Sequence, residues 1–464
     1  MPVLLFVGLV LSTVSSLGAP LIPELAETLD ASLASAQWAL TATVLVAAVA
    51  SPVIGRLGDG RHRKRLIVIC LGGVVVGCAL AAVATSLPAL IAGRALQGLG
   101  LALMPLTMAA ARAHLPAERA GRAIAAISVV GVVGVGLGYP VTGLIADHLD
   151  LAAAYWFGAA VSLAALALAA AVVPRPETGA GDAPLDLPGA VISGLGLIAI
   201  LIGLEKAPEW GWAAPATLGL LLGGLAVMAL WARHELRTAD PLVDLRLARH
   251  PEVMTANVTA FALGVTMYLL MTLITQFVQL PGIGFGESVF VAGLSLVPLS
   301  AVSALSSRTV PWVEDRVGSR TILPLGSLAV AAASLLFALG VGHLWELFLV
   351  TGLLGIGFGY TYAAMPGLIV GAVPRGETGS AMGFYQVSRF VGFAVGSGVA
   401  VTLLRAFGDA SGPTLGAYQA TAGFAVGLGL LTALVAWLLP TRGAGRAREE
   451  GAIEEGMAAT ARAG

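Results

Sequence analysis

What most constrains this chain is the recurrence, from one end to the other, of apolar runs about 20 residues long, the length a helix needs to cross a bilayer core about 30 Å thick. Inside hydrocarbon every backbone amide needs a partner within the chain. Helices supply that partner locally, so runs of this length predict helices and not barrel strands. Interrupted at charge and turn clusters, the sequence yields spans near 2–25, 37–55, 66–87, 88–111, 121–146, 152–174, 187–204, 213–232, 253–280, 289–306, 321–341, 344–373, 379–404 and 416–439. With 58% of residues hydrophobic and only 11% charged, the composition agrees. The expected fold class is an all-α membrane protein with fourteen transmembrane helices. The first run lacks a basic leader and is too long for a signal-peptide core, so it is read as a retained span.

Translocating lysine and arginine is unfavourable, so their positions assign sides. With both termini cytoplasmic, 21 of the 25 Lys and Arg fall in cytoplasmic segments, and only Lys206 and Arg405 fall outside. Deleting the weakest span, 187–204, would invert every later loop and expel the cations from Arg233 onward. Fourteen spans are therefore preferred to thirteen. The net charge of −1 argues against nucleic acid as a partner. Cys70 and Cys78 share one apolar run and read as small buried hydrophobes.

The Pro/Gly/Asp-rich stretch PRPETGAGDAPLD and the charged stretch RHELRTADPLVDLRLARH bracket two helices that look inserted between two six-helix halves. The division expected is a six-helix bundle over 1–174, an inserted two-helix segment over 175–250, a second bundle over 251–440 and a disordered cytoplasmic tail over 441–464. Residues 55–65, GRLGDGRHRKR, join spans two and three, and residues 311–321, PWVEDRVGSRT, join spans ten and eleven. Aligning Asp59 with Asp315 sets Lys64 against Arg320. This suggests an internal repeat eight spans apart, the build of many transporters whose substrate site lies between the copies.

These residues resemble the major facilitator superfamily, and within it the fourteen-span drug:proton antiporters. The loop motif G-x-L-a-D-r-x-G-r-K is met by Gly55, Leu57, Asp59, Arg63 and Lys64, with His62 where glycine is usual. A second motif, R-x-x-Q-G-x-G, is met by Arg94, Gln97, Gly98 and Gly100. The glycine-rich antiporter motif is approximated in span five by GVVGVGLGYPVTGL, which keeps Pro140 and Gly143 but has Tyr139 and Leu144 where glycines belong. The resemblance implies two pseudo-symmetric six-helix bundles plus two inserted helices, and a conformational latch at Gly55, Asp59, Arg63 and Lys64, echoed at Asp315 and Arg320. It also implies coupling through Arg94, Gln97 and Gly98, and an antiporter hinge at Gly134, Gly138, Pro140 and Gly143. Gly134 and Gly138 have a second reading as a small-xxx-small pair for close helix contact.

Arg94 and Arg389 fall inside spans, where facing lipid would cost about 2.5–3.5 kcal/mol or more, so both are expected to face a polar interior. Around Arg389, Tyr385 and Gln386 add polar groups, and span nine adds Asn257, Gln276 and Gln279; these six are the candidate substrate cavity. An isolated amide can equally serve to join helices. No acid sits in the middle of a span. The candidates for proton coupling are therefore Glu24 and Asp147, near outer ends, communicating with Arg94.

The six histidines lie in or beside loops with no HExxH or CxxC, so neither an enzyme nor a bound metal or cofactor is expected. The leading reading is a monomeric, multi-pass cell-membrane transporter exporting a small, mostly apolar compound, a drug or secondary metabolite, by proton antiport. Its partners are the substrate, protons and the lipid bilayer. The alternatives are a carrier of an anionic metabolite bound by Arg389, and a sensor that transports nothing.

Overall fold

The computed structural model describes residues 2–17, 25–26, 28–174, 185–409 and 412–439. Glu24, most of the first inter-bundle loop and the tail from 441 lie outside them. We number the long helices α1 Pro2–Ser16, α2 Trp38–Gly58, α3 Arg63–Ala82, α4 Leu87–His114, α5 Ala117–His148, α6 Leu151–Val172 and α7 Leu187–Trp210. The rest are α8 Pro215–Glu235, α9 Pro251–Gln279, α10 Val289–Ser307, α11 Ile322–Leu339, α12 Leu344–Ala372, α13 Thr378–Phe407 and α14 Leu415–Leu438. Thirteen are long and apolar enough to cross a membrane, and α1, with 15 described residues, is the shorter one. Fourteen spans fit this set.

Local chemistry sets many boundaries. Asp150, Asp186 and Thr414 each accept a hydrogen bond from the amide three residues on, opening α6, α7 and α14. Pro105 in α4 and Pro298 in α10 each lack an amide proton, and each helix is interrupted just upstream, at Leu103 and at Ser295–Leu296. Large apolar side chains such as Trp156, Leu163, Leu222, Leu335 and Leu431 stand uncovered on the outside. Hydrocarbon can solvate them, which water cannot do cheaply.

The packing repeats. In the first half α1 packs on α5 and α6, α2 on α4, and α3 on α4 and α6; adding eight to every number gives the second half, with α9 on α13 and α14, α10 on α12, and α11 on α12 and α14. The repeat extends to glycines. A Cβ on Gly77 would meet the Gly93 carbonyl oxygen at 2.6 Å and one on Gly93 would meet that of Gly77 at 2.7 Å, joining α3 to α4. In α11 and α12, Gly326 and Gly357 approach each other's carbonyls in the same way, at 2.8 and 2.7 Å. Small residues let membrane helices touch backbone to backbone, where packing and not hydrophobic drive supplies the attraction.

The halves meet along two related seams, α2 on α13 and α10 on α5, flanked by α4 on α13 and α12 on α5. The α7–α8 pair breaks the symmetry, since α7 packs on α2 and α13 and covers only the first seam.

Candidate functional site

Between the halves lies a cavity of about 50 Å³, lined from one half by Ser12, Ser15, Met104 and Ser128 and from the other by Met267, Tyr268, Gln386 and Arg389. A drug-sized ligand needs roughly 300 Å³ or more, so the halves must part to admit one. Three methionines, Met104, Met108 and Met267, give the walls unbranched, adaptable side chains. The described lining carries no aspartate or glutamate.

Arg389 projects from α13 into this space and is 6% exposed. Its Nη1 donates to Gln386 Oε1 at 2.9 Å, and its guanidinium carbon lies 4.2 Å from the Tyr362 ring centre, with the Phe393 and Tyr385 rings at 5.7 and 5.8 Å. Its Nε has no partner among the described residues. Aromatic faces offset part of the cost of burying a cation, and here they stand where a counter-ion would. Tyr268 stacks on Phe393 at 4.2 Å, extending the aromatic wall.

Arg94 is fully buried and differently bound. Its guanidinium donates to the carbonyls of Val14 at 3.3 Å, Ser15 at 2.8 Å and Ala39 at 3.3 Å, and to Gln97 Oε1 at 2.6 Å. One cation thus ties α1 and α2 to α4. Gly98 lies on the same face, against the Thr43 carbonyl of α2.

At the end of the bundle bearing the Arg/Lys-rich loops, the contacts cross from one half to the other. Asp59 accepts hydrogen bonds from the amides of Gly379, at 2.7 Å, and Ser380, at 2.9 Å, in the first turn of α13. A helix N-terminus holds unpaired amides and a partial positive charge, so a carboxylate there fills both needs. Arg56 pairs with Glu377 at 2.7 Å, and Arg112 donates to Thr378 Oγ1 at 2.6 Å and to the Val373 carbonyl at 3.0 Å. Burial pushes the Asp59 carboxyl up to about 7, Glu377 adds to the rise, and the two amides and Arg63 pull the other way. Arg63 Nε donates to the Gly58 carbonyl at 2.7 Å, closing the C-terminal end of α2. Gly55 and Gly379 allow the crossing, because a Cβ on either would strike the other's carbonyl oxygen.

Comparison with known proteins gives this arrangement a family. The family model described as Major Facilitator Superfamily matches residues 4–342 and 310–462. The chain belongs to the major facilitator superfamily. It is 27% identical to the tetracenomycin C resistance and export protein of Streptomyces glaucescens, over 82% of this chain and 71% of that one. It is 28% identical to the puromycin resistance protein pur8 of Streptomyces alboniger, over 94% and 89%. Among solved structures, the human organic anion transporter MFSD10 superposes with a TM-score of 0.64 at 20% identity, covering 93% of this chain and 98% of that chain, a likeness of fold. The protein is a multi-pass membrane transporter of this superfamily and not an enzyme.

Within the superfamily fold, the residues singled out in the sequence distribute unevenly. Gln386 and Arg389 line the cavity. Tyr385 is buried beside Arg389 and Ser128, and Asn257 is buried with its Oδ1 3.5 Å from the Ser388 hydroxyl, neither of them on the lining. Gln276 is exposed, and Gln279 donates to Thr275 of its own helix at 2.8 Å. Both sit in the last turn of α9, away from the cavity to which their polarity within a span assigned them.

Lys64 is partly buried at the start of α3. Asp315 is exposed on the short helix Val310–Val317, and Arg320 donates to the Trp437 carbonyl at 2.8 Å within its own half. The second loop therefore does not reproduce the Asp59 contact. In α5, Gly134 and Gly138 press on α1 at Ser12 and Ser16, Gly143 lies against Phe290, and Pro140 sits inside a continuous helix beside Gly293. Glu24 and the side chain of Asp147 lie outside the described residues. Sequence reasoning missed Glu377 and treated Arg56 and Arg112 as ordinary loop cations. The available signal was an arginine one turn before Asp59 and another closing α4.

Proposed function

We propose that the protein exports a small, largely apolar compound, a drug or secondary metabolite, across the cell membrane by alternating access, driven by proton antiport, with both termini cytoplasmic. The observation that carries the reading is the cavity on the seam between two equivalent halves, lined by both, with contacts from half to half at the basic end. A site so placed changes its exposure when the halves rock. Relatives named for export of tetracenomycin C and resistance to it, and for resistance to puromycin, support the export direction and a small-molecule substrate. Glu24 and Asp147 are the proposed proton carriers, communicating with Arg94, and the working unit is a monomer.

The test is a panel of antibiotics and aromatic metabolites added to proteoliposomes holding the purified protein and a pH-sensitive dye. Active compounds are expected to drive proton movement only in vesicles with protein, in the direction opposite to the compound. Compound flux with no accompanying proton flux removes the antiport. No flux of any compound removes the transport reading for this cavity.

A further inference from the structure

The two buried arginines differ in a way that bears on the substrate. Arg94 has its guanidinium occupied by three backbone carbonyls and Gln97, which makes it a strut among helices. Arg389 hydrogen-bonds Gln386 and has the Tyr362 and Tyr385 side chains beside it, but leaves Nε unpaired among the described residues while 6% exposed, and faces the cavity. A guanidinium stays charged at any working pH, so this cavity carries a fixed positive charge. No carboxylate among the described residues answers it. From the other half the Ser128 hydroxyl, 2% exposed and beside Tyr385, is a second buried polar group on the lining that makes no well-formed hydrogen bond among the described residues.

Resting on the export reading above, we propose that the compounds taken by this cavity are flat aromatic acids, bound through an anionic oxygen group to Arg389. The carboxylate or phenolate oxygen accepts from the free edge of the guanidinium and the rings lie against the wall formed by Tyr268, Phe390 and Phe393. A planar fork of donors suits a planar oxyanion, and buried charges are stable when paired. A cationic drug would meet a like charge and no anion. The Ser128 hydroxyl supplies a neutral donor on the opposite wall, which fits a second oxygen on the same ring system.

The experiment measures binding apart from transport. The full-length protein in lipid nanodiscs is titrated with anthracene-2-carboxylate, its primary carboxamide and the matching aminomethyl cation, with fluorescence as the readout. The carboxylate is expected to bind at least about tenfold more tightly than the amide, and the cation more weakly than either. Arg389→Gln should bring carboxylate and amide to comparable affinity. Arg389→Lys, which keeps charge without the fork, should retain a reduced preference and guards against misfolding of the first variant. A cation bound as well as the acid, a preference that survives in Arg389→Gln, or no binding of the carboxylate overturns the proposal. Failure of the export reading would show separately, as wild-type binding without movement of the acid in proteoliposomes.

Discussion

Asp59 illustrates what a single residue reveals and what it conceals. Its loop marks it in the sequence, yet the partners that decide its behaviour, Gly379, Ser380 and Glu377, lie more than 300 residues away, beyond the reach of local pattern. For the same reason Arg94 was recognisable as buried, while the carbonyls that hold it were not. Docking raises the Asp59 carboxyl from 3.8 to about 7, chiefly by burial. When the halves part and water reaches it, the ordinary value returns, so the docked state holds the proton more tightly and protonation favours docking. That contribution is complete below about pH 4 and is lost as pH rises through about 7. Spin labels on Arg65→Cys and Gly376→Cys, both exposed positions at the basic end, should report a larger closed population at pH 5 than at pH 8. Asp59→Asn should flatten the change; an unaltered pH step in that variant would assign the effect to another group.

Among elements, the apolar runs made the helices legible because length and hydrophobicity are local properties, and thirteen of them meet both requirements in the structure. Which face of each helix turns inward was less legible. Gln276 and Gln279 occupy the end of α9, where an amide meets polar surroundings whatever face it is on, so polarity alone carried no direction. Glycines are ambiguous in the sequence for a related reason: closeness of a neighbour is not encoded in the glycine itself. The α2–α13 crossing makes the distinction testable. Gly55→Ala places a methyl on the Gly379 carbonyl, and backbone cannot yield as a flexible side chain does, whereas Gly72→Ala meets nothing within 4 Å. Overpacking of this kind costs about 1–3 kcal/mol, enough to shift a balanced conformational equilibrium by roughly 5- to 150-fold. With the same spin-label pair, Gly55→Ala is expected to depopulate the closed basic end while Gly72→Ala leaves it unchanged. A closed population that is equal in the two variants means the crossing does not control closure.

For the whole molecule, the repeat was visible in sequence only as a faint pairing of two loops, and the structure relocates its strength. The loops differ, with Asp59 docked on the opposite half and Asp315 exposed, while the helix contacts repeat with a constant offset of eight. Packing partners constrain shape and permit many sequences, which is why symmetry persists in contacts after it has faded from residues. The departure from symmetry is concentrated at the α2–α13 seam. There α7 adds its own contacts, Trp212 Nε1 donates to Thr402 Oγ1 at 2.7 Å, and Leu242, from the loop after α8, is fully buried and accepts from the Ser380 hydroxyl at 2.7 Å. The basic end is thus held by Asp59, Arg56, Arg112 and this loop together, and every cycle of access from that side must release all of them. Replacing the Arg56–Glu377 pair by cysteines, Arg56→Cys with Glu377→Cys, and joining them with a reducible bis-methanethiosulfonate linker, which restores the reach of the two long side chains, converts one releasable contact into a covalent one. Native Cys70 and Cys78 are buried and are poor competitors for the reagent. Transport by the double variant is expected to fall at least about tenfold on cross-linking and to recover on reduction, with each single variant insensitive to both. Full activity in the demonstrably cross-linked protein means that substrate passes without the halves separating at this end, and the rocking motion loses its physical basis.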